Sequence, residues 1–222
     1  KLLLTQTDKE TLLAIVQQQP VPAEHSVRIA ENLDFFVQAI EGIPEDRLHQ
    51  LWIGVSKLTA VDIALDRDQD NPQLIFESMN STGLDLSQAD LIRNYVLMGL
   101  EPSHQASLYE HHWRPMELGF SQQSYSTNFD SFMRHYLTVK TGDIPKISAV
   151  YEAFKSHASQ PEVETEDIDA LVQDLKAYSR YYCAFALDAE EDADLAEAFR
   201  DLRELRADVV YPLLLELYDD YV

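Results

Sequence analysis

The chain has one cysteine, and only 17 lysines and arginines stand against 39 aspartates and glutamates. A single cysteine excludes an internal disulfide, and such sparing use fits a reducing cytoplasm, the expected location. Cys183 lies among apolar residues at helical spacing and reads as a small core residue. The shortage of basic residues leaves a net charge of −22. That charge opposes non-specific binding to nucleic acid, which needs a basic surface to displace phosphate counterions. It equally opposes an anionic membrane. What remains is a well-hydrated surface, a surface that docks on a basic partner, or one that imitates DNA. No apolar run is long enough to span a bilayer, and no signal-peptide pattern is read in the sequence. Walker, dinucleotide-binding, His-Glu-x-x-His and Cys-x-x-Cys motifs are missing too. A Ser-His-Asp triad is a matter of geometry and cannot be read from spacing.

The chain does contain ample core material: 45% of its 222 residues are hydrophobic, enough for one large domain or two small ones. The pattern predicts a mainly α fold, a multi-helix bundle with a small β element near the N-terminus. Lys1–Thr5 reads as a strand, and so does Leu58–Leu65, where Val61, Ile63 and Leu65 alternate with Asp62 and Ala64. Two strands alone make no stable sheet, so their partners are expected in another part of the protein or another chain. A start at Lys1 and an end in mid-helix likewise read as the limits of a piece of a longer protein.

Helices are predicted from Thr7 or Asp8 to Val16, from Ser26 to Ile40, and from Glu45 to Val55. Ile29, Leu33, Phe36, Val37 and Ile40 share one face of the second. Beyond Leu100 everything reads as helix. The segments run from Ser103 to Leu118, Asn128 to Lys140, Ser148 to Ala158 and Ile168 to Leu187, and then from Asp192 onward. In the last, Phe199, Leu202, Leu205 and Val209 read as a continuing apolar stripe that Pro212 kinks or restarts. The acidic stretch 159–167 reads as a hinge. Two lobes are expected: residues 1–100, the end of an α/β lobe, and residues 101–222, an all-helical lobe.

The most informative stretch is Phe76–Asn94. Asn71 and Pro72 start a helix that Asn80 and Gly83 stop. Ser87 with Asp90 then forms a capping box for the next helix, which runs to about Leu100. On that otherwise apolar helix, Asp90, Arg93 and Asn94 share a face and need partners. The polar cluster Glu77, Asn80, Asp90, Arg93 and Asn94 is the candidate site. Two readings of it stand: capping and ion pairing that hold the turn, with Arg93 paired to Glu77 or Asp90, or support for a nucleotide or substrate site completed elsewhere.

Other constellations point to no metal. His111 and His112 are adjacent on a helix, about 100° apart, with Glu110 and Glu117 nearby, and no zinc spacing is met. Asp66, Asp68, Asp70 and Asn71 resemble part of a calcium loop but lack its central glycine and closing glutamate.

The order Phe76-Glu77-Ser78-Met79-Asn80-Ser81-Thr82-Gly83-Leu84, followed by Ala89-Asp90-Leu91-Ile92-Arg93-Asn94, resembles the signature of GmrSD-type restriction endonucleases and their phage-defence relatives. About twenty residues, the whole of Phe76–Asn94, match closely, and a weaker similarity covers most of the chain. Members of that family typically carry an upstream Asp-Gly-Gln-Gln-Arg motif tied to nucleotide hydrolysis. Many also carry a downstream His-Asn-His-type nuclease domain that uses a divalent metal. Neither motif occurs here. The resemblance therefore implies the helical middle of a bacterial, NTP-dependent DNA restriction protein, without catalytic residues or cofactor of its own. Its expected partners are the rest of the parent chain, with a protein partner or a second copy also open, and DNA only through other domains. The alternatives are an acidic helical interaction module and a DNA-mimicking inhibitor.

Overall fold

Side-chain caps at Ser26, Ser87 and Asp192 set the starts of three helices. The structure is a computed structural model that describes residues 6–23, 25–59, 75, 78, 86–121, 124–160 and 168–221. It is mainly helical, and among the described residues there is no strand. The strands expected at Lys1–Thr5 and Val61–Leu65 lie outside the described residues. Leu58, expected to open the second, instead donates its N–H to Val55 O at 3.1 Å and closes the last turn of a helix.

The chain divides into two compact units, Lys1–Ala64 and Leu65–Val222. This differs from the division expected near Leu100. The helix at Gln88–Leu97 packs against helices beyond residue 100 and so belongs with them.

The first unit contains α1 (Gln6–Val16), α2 (Val27–Ile40) and α3 (Glu45–Ser56). Ser26 caps α2, its Oγ accepting from the N–H of Ile29 at 3.4 Å, as the sequence predicts. Its own N–H donates to Thr11 Oγ1 at 2.9 Å, and both residues are buried, which joins α1 to the start of α2. No residue of α2 or α3 is buried.

The second unit holds the core. It comprises α4 (Gln88–Leu97), α5 (Pro102–Leu108), a π turn (Tyr109–Trp113), α6 (Arg114–Gly119) and α7 (Tyr125–Thr141). It continues with α8 (Val150–Ala158), α9 (Ile168–Ala186), α10 (Ala193–Glu204) and α11 (Tyr211–Tyr221). α4 stops at Leu97, short of the expected Leu100, where Met98 turns extended and Gly99 follows left-handed at φ 85°. Gly142 is the left-handed C-cap of α7, at φ 77°.

Helix α7 runs through the centre and packs against α4, α8, α9 and α11. Its predicted stripe of Phe129, Phe132, Met133, Tyr136 and Leu137 is buried throughout. Phe120 meets the rings of Phe129, Phe132 and Tyr182 at centroid distances of 5.6, 5.5 and 6.1 Å, tilted or edge-on as aromatic quadrupoles prefer. Cys183 is buried in the same core, and burial pushes its thiol up to about 11.

The stripe expected to continue beyond Phe199 breaks. Leu205 and Val209 are 76% and 82% exposed, because α10 ends at Glu204 and Arg206 adopts φ 54°. Pro212 sits in the first turn of α11, where its missing N–H costs nothing.

Tyrosine hydroxyls fasten several helices through carboxylates. Tyr136 donates to Asp174 at 2.7 Å and Tyr178 to Asp219 at 2.8 Å, and Tyr218 donates to Glu190.

Candidate functional site

At the start of α4, Ser87 caps the helix as the sequence predicts, while the Asp90 carboxylate takes the Ser87 hydroxyl rather than completing a capping box at the Ser87 backbone N–H. The N–H of Asp90 donates to Ser87 Oγ at 3.1 Å, and the Ser87 hydroxyl donates to Asp90 Oδ2 at 2.7 Å. One turn on, Arg93 reaches back to Asp90 Oδ1 at 3.0 Å, the pairing that i, i+3 spacing allows. Of the five predicted site residues, Asp90 and Arg93 are thus brought together. Asn94 lies half-buried beside them on the same helix. Glu77 and Asn80 lie outside the described residues, as does the calcium-like run at Asp66, Asp68, Asp70 and Asn71.

The second partner of Arg93 is Glu117, 24 residues away, at 3.1 Å from its Oε1. The Tyr109 hydroxyl donates to the other oxygen of Glu117 at 2.8 Å. These contacts link α4, the π turn and α6. Burial alone would lower the Arg93 pKa, but Asp90 and Glu117 outweigh it, so the guanidinium is held above its ordinary range. Burial, reinforced by Glu117, raises the Tyr109 and Tyr125 hydroxyls.

The π turn explains how Tyr109 meets Glu117. In an unbroken α-helix one face recurs every seven residues, two turns of 3.6. A π turn takes one residue more, which brings the eighth residue round instead. Pro115 supplies the cause. It has no N–H to give the carbonyl of His111, and its ring clashes with that carbonyl in a regular helix. Lys176 of α9 donates to the His111 carbonyl at 2.8 Å. The opening carbonyl of the turn, Tyr109, accepts from Arg114 five residues on.

Asp130 completes the site. Its Oδ1 accepts from the N–H of Ala89 at 2.9 Å, so α7 supplies a second cap to α4. Burial, aided by the Asp90 charge and opposed by the Ala89 N–H, pushes the Asp130 carboxyl up to about 6. A carboxyl whose pKa rises on folding favours the folded state most when it is protonated. Its contribution is complete below the unfolded value of 3.8 and is lost as the pH rises through about 6. Asp130→Asn keeps an oxygen for Ala89 and cannot ionise. It is expected to gain stability over the parent sequence at pH 8 and to lose that advantage by pH 4. Urea denaturation at both pH values measures this, and an equal difference at the two would refute the assignment.

Asp90 and Glu117 place two carboxylates on one guanidinium. That balance suits an internal lock or a proton, and it fits a phosphate poorly, since the cation is already matched. The histidines are placed separately. His111 uses Nδ1 on the Ser107 carbonyl at 2.9 Å, and His104 meets Asp169 at 2.6 Å. The buried Nδ1 of His112 has no hydrogen-bond partner among the described residues. Among the described residues no group of three or more His, Cys, Asp and Glu is arranged to hold a metal ion. Nor is any helix of the described residues long and apolar enough to cross a membrane.

Sequence reasoning noticed Glu117 only beside the histidines, and missed Tyr109, Tyr125 and Asp130. Pro115 inside a predicted helix is the available signal for the Tyr109–Glu117 contact. No family model matches this sequence, no curated protein matches it, and no solved structure matches its fold.

Proposed function

We propose that this chain is the helical middle part of a GmrSD-like, nucleotide-dependent DNA restriction protein of bacterial phage defence, and that Asp90 and Arg93 serve its scaffold. The Phe76–Asn94 resemblance supplies the family. The observation that supports the scaffold role is the lock of Arg93 between Asp90 and Glu117, at 3.0 and 3.1 Å. Arg93 there holds α4 to α6, whose Glu117 also takes the Tyr109 hydroxyl of the π turn. A guanidinium matched by two carboxylates is a poor phosphate ligand. In this reading, nucleotide turnover and metal-dependent DNA cleavage belong to other parts of the parent protein.

Phage plating on bacteria that carry the parent gene tests both halves. The parent is expected to restrict phage with modified DNA. Arg93→Ala and Glu117→Ala are expected to weaken that protection and to lower the melting temperature of the chain in step. Protection lost at an unchanged melting temperature would assign Arg93 to a functional site and overturn the scaffold role. A parent that restricts no such phage would overturn the family reading.

An interaction module is the second reading, and one observation favours it. Helices α2 and α3 bury none of their residues, although both are rich in large apolar side chains.

A further inference from the structure

Among the described residues, two buried side-chain nitrogens have no hydrogen-bond partner, the Nδ1 atoms of His112 and His157. His157 is the more enclosed residue, 7% exposed in the last turn of α8. Buried polar atoms are nearly always paired, so this exception calls for a cause.

Three helices set the surroundings of the ring. Tyr136 of α7 meets it edge-on, at a centroid distance of 6.3 Å. The Tyr136 hydroxyl is spent on Asp174 Oδ2 of α9, and Lys140, one turn further along α7, holds Asp174 Oδ1 at 3.1 Å. Lys140 also lies over the ring of Tyr178, 4.1 Å from its centroid. Both Asp174 oxygens are thus engaged by other groups. α4 packs on α8 as well, but its charged residues, Asp90 and Arg93, pair with each other. On α8 itself, Glu152 is exposed and Lys155 lies over the ring of Tyr151. The Gln160 side chain hydrogen-bonds the His157 ring, and Nδ1 has nothing.

A neutral imidazole tolerates this setting, because one of its nitrogens needs no acceptor. A charged ring does not. Both nitrogens are then donors, and Nδ1 presents a buried N–H without a partner. Burial therefore holds the ring below its ordinary range; Lys140 adds to this, and Asp174 and Gln160 oppose it. A histidine whose pKa falls on folding stabilises the closed form fully above the ordinary value of 6.5. That contribution is lost as the pH falls from there through the lowered value. The end of a helix also opens more readily than its middle. Unwinding the last turn of α8 frees His157 and Ala158 and leaves Phe154, fully buried one turn earlier, in place.

From this geometry we infer that the last turn of α8 is an acid-opened latch. With the His157 ring neutral, the turn closes on Tyr136 of α7. With the ring charged, it unwinds into water while Phe154 keeps the rest of α8 docked. The inference stands independently of the proposed function.

Amide hydrogen exchange of the whole chain tests it, followed residue by residue by NMR and corrected for the intrinsic pH dependence of exchange. Protection of residues 157–159 is expected to fall about 30-fold from pH 8 to pH 5. That is the ratio for a ring that titrates at 6.5 in the open turn and stays neutral in the closed one. His157→Gln keeps a polar side chain and cannot ionise, so its protection there is expected to change less than about twofold. Burial holds His112 and His135 below their ordinary range too, so acid also weakens the unit as a whole. The buried centre of α7 reports that separately and should remain the better protected at pH 5. The His157 ring protons, followed in the unaltered chain, should titrate below the ordinary histidine value.

A fall of less than threefold in the unaltered chain would overturn the latch. So would an equal fall in His157→Gln. Protection of residues 157–159 equal to that of α7 at pH 5 would mean that they open only with the whole unit, and would overturn it as well. If the variant fails to fold, the ring decides: a His157 that titrates at its ordinary value while residues 157–159 stay protected refutes the proposal.

Discussion

Trp113→Ala is expected to lower the unfolding free energy by about 3–5 kcal/mol, the usual loss for deleting a large buried aromatic side chain. Trp113 is fully buried at the end of the π turn. Its ring lies 5.4 Å from that of Phe129, and its Nε1–H donates to the Tyr125 hydroxyl at 3.2 Å. Alanine removes the ring contact and takes the donor from a hydroxyl that is itself buried. Phe129 and Phe120 touch each other at the centre of the core, so the walls of the new cavity cannot collapse without disturbing α7. Trp113→Phe, which keeps most of the volume, should lose clearly less. Urea denaturation followed by circular dichroism measures both, and a loss below 1 kcal/mol for the alanine variant would contradict this packing.

The second large effect belongs to Arg93. Breaking a fully buried ion pair from one side costs about 3–5 kcal/mol, and a surface pair contributes about 0–1. The Arg93 side chain is 30% exposed, and Asp90 and Glu117 are 22% and 19% exposed. That intermediate position sets the expected loss for Arg93→Ala at about 2 kcal/mol. The two carboxylates it leaves behind would face each other without a cation. Arg93→Lys should recover only part of the loss, since one ammonium replaces a planar fork that reaches both acids at once. A double-mutant cycle with Glu117→Gln isolates the longer-range half of the lock, and a coupling indistinguishable from zero would remove Glu117 from it.

Local chemistry made most of the helices legible in the sequence. Ser87 caps the helix it was read to cap, helices expected to begin at Ser26 and near Asp192 do begin there with those residues as caps, and Gly142 ends α7. Asp90 and Arg93 were legible for the same reason, three residues apart on one turn. Glu117 was not, because its contact crosses between elements and depends on an extra residue in a turn that periodicity alone does not reveal. Leu205 and Val209 show the opposite failure. Their spacing continued the stripe of Phe199, but the left-handed Arg206 had already broken the helix. The boundary expected near Leu100 followed a change in sequence character, whereas packing assigns α4 to the helices beyond it.

The tyrosine fastenings of the second unit bear on a problem of supply. Carboxylates outnumber basic side chains by 39 to 17, so most cannot be matched by a cation. Asp219 and Glu190 each accept a phenolic O–H, and Glu117 and Asp174 accept one in addition to their pairing with Arg93 and Lys140. A neutral donor brings no charge of its own, so rising ionic strength weakens such a bond far less than it weakens an exposed ion pair. The same dissolved ions damp the mutual repulsion of the surplus carboxylates. An acidic chain fastened by phenols is thus arranged to lose its strain in brine before it loses its ties.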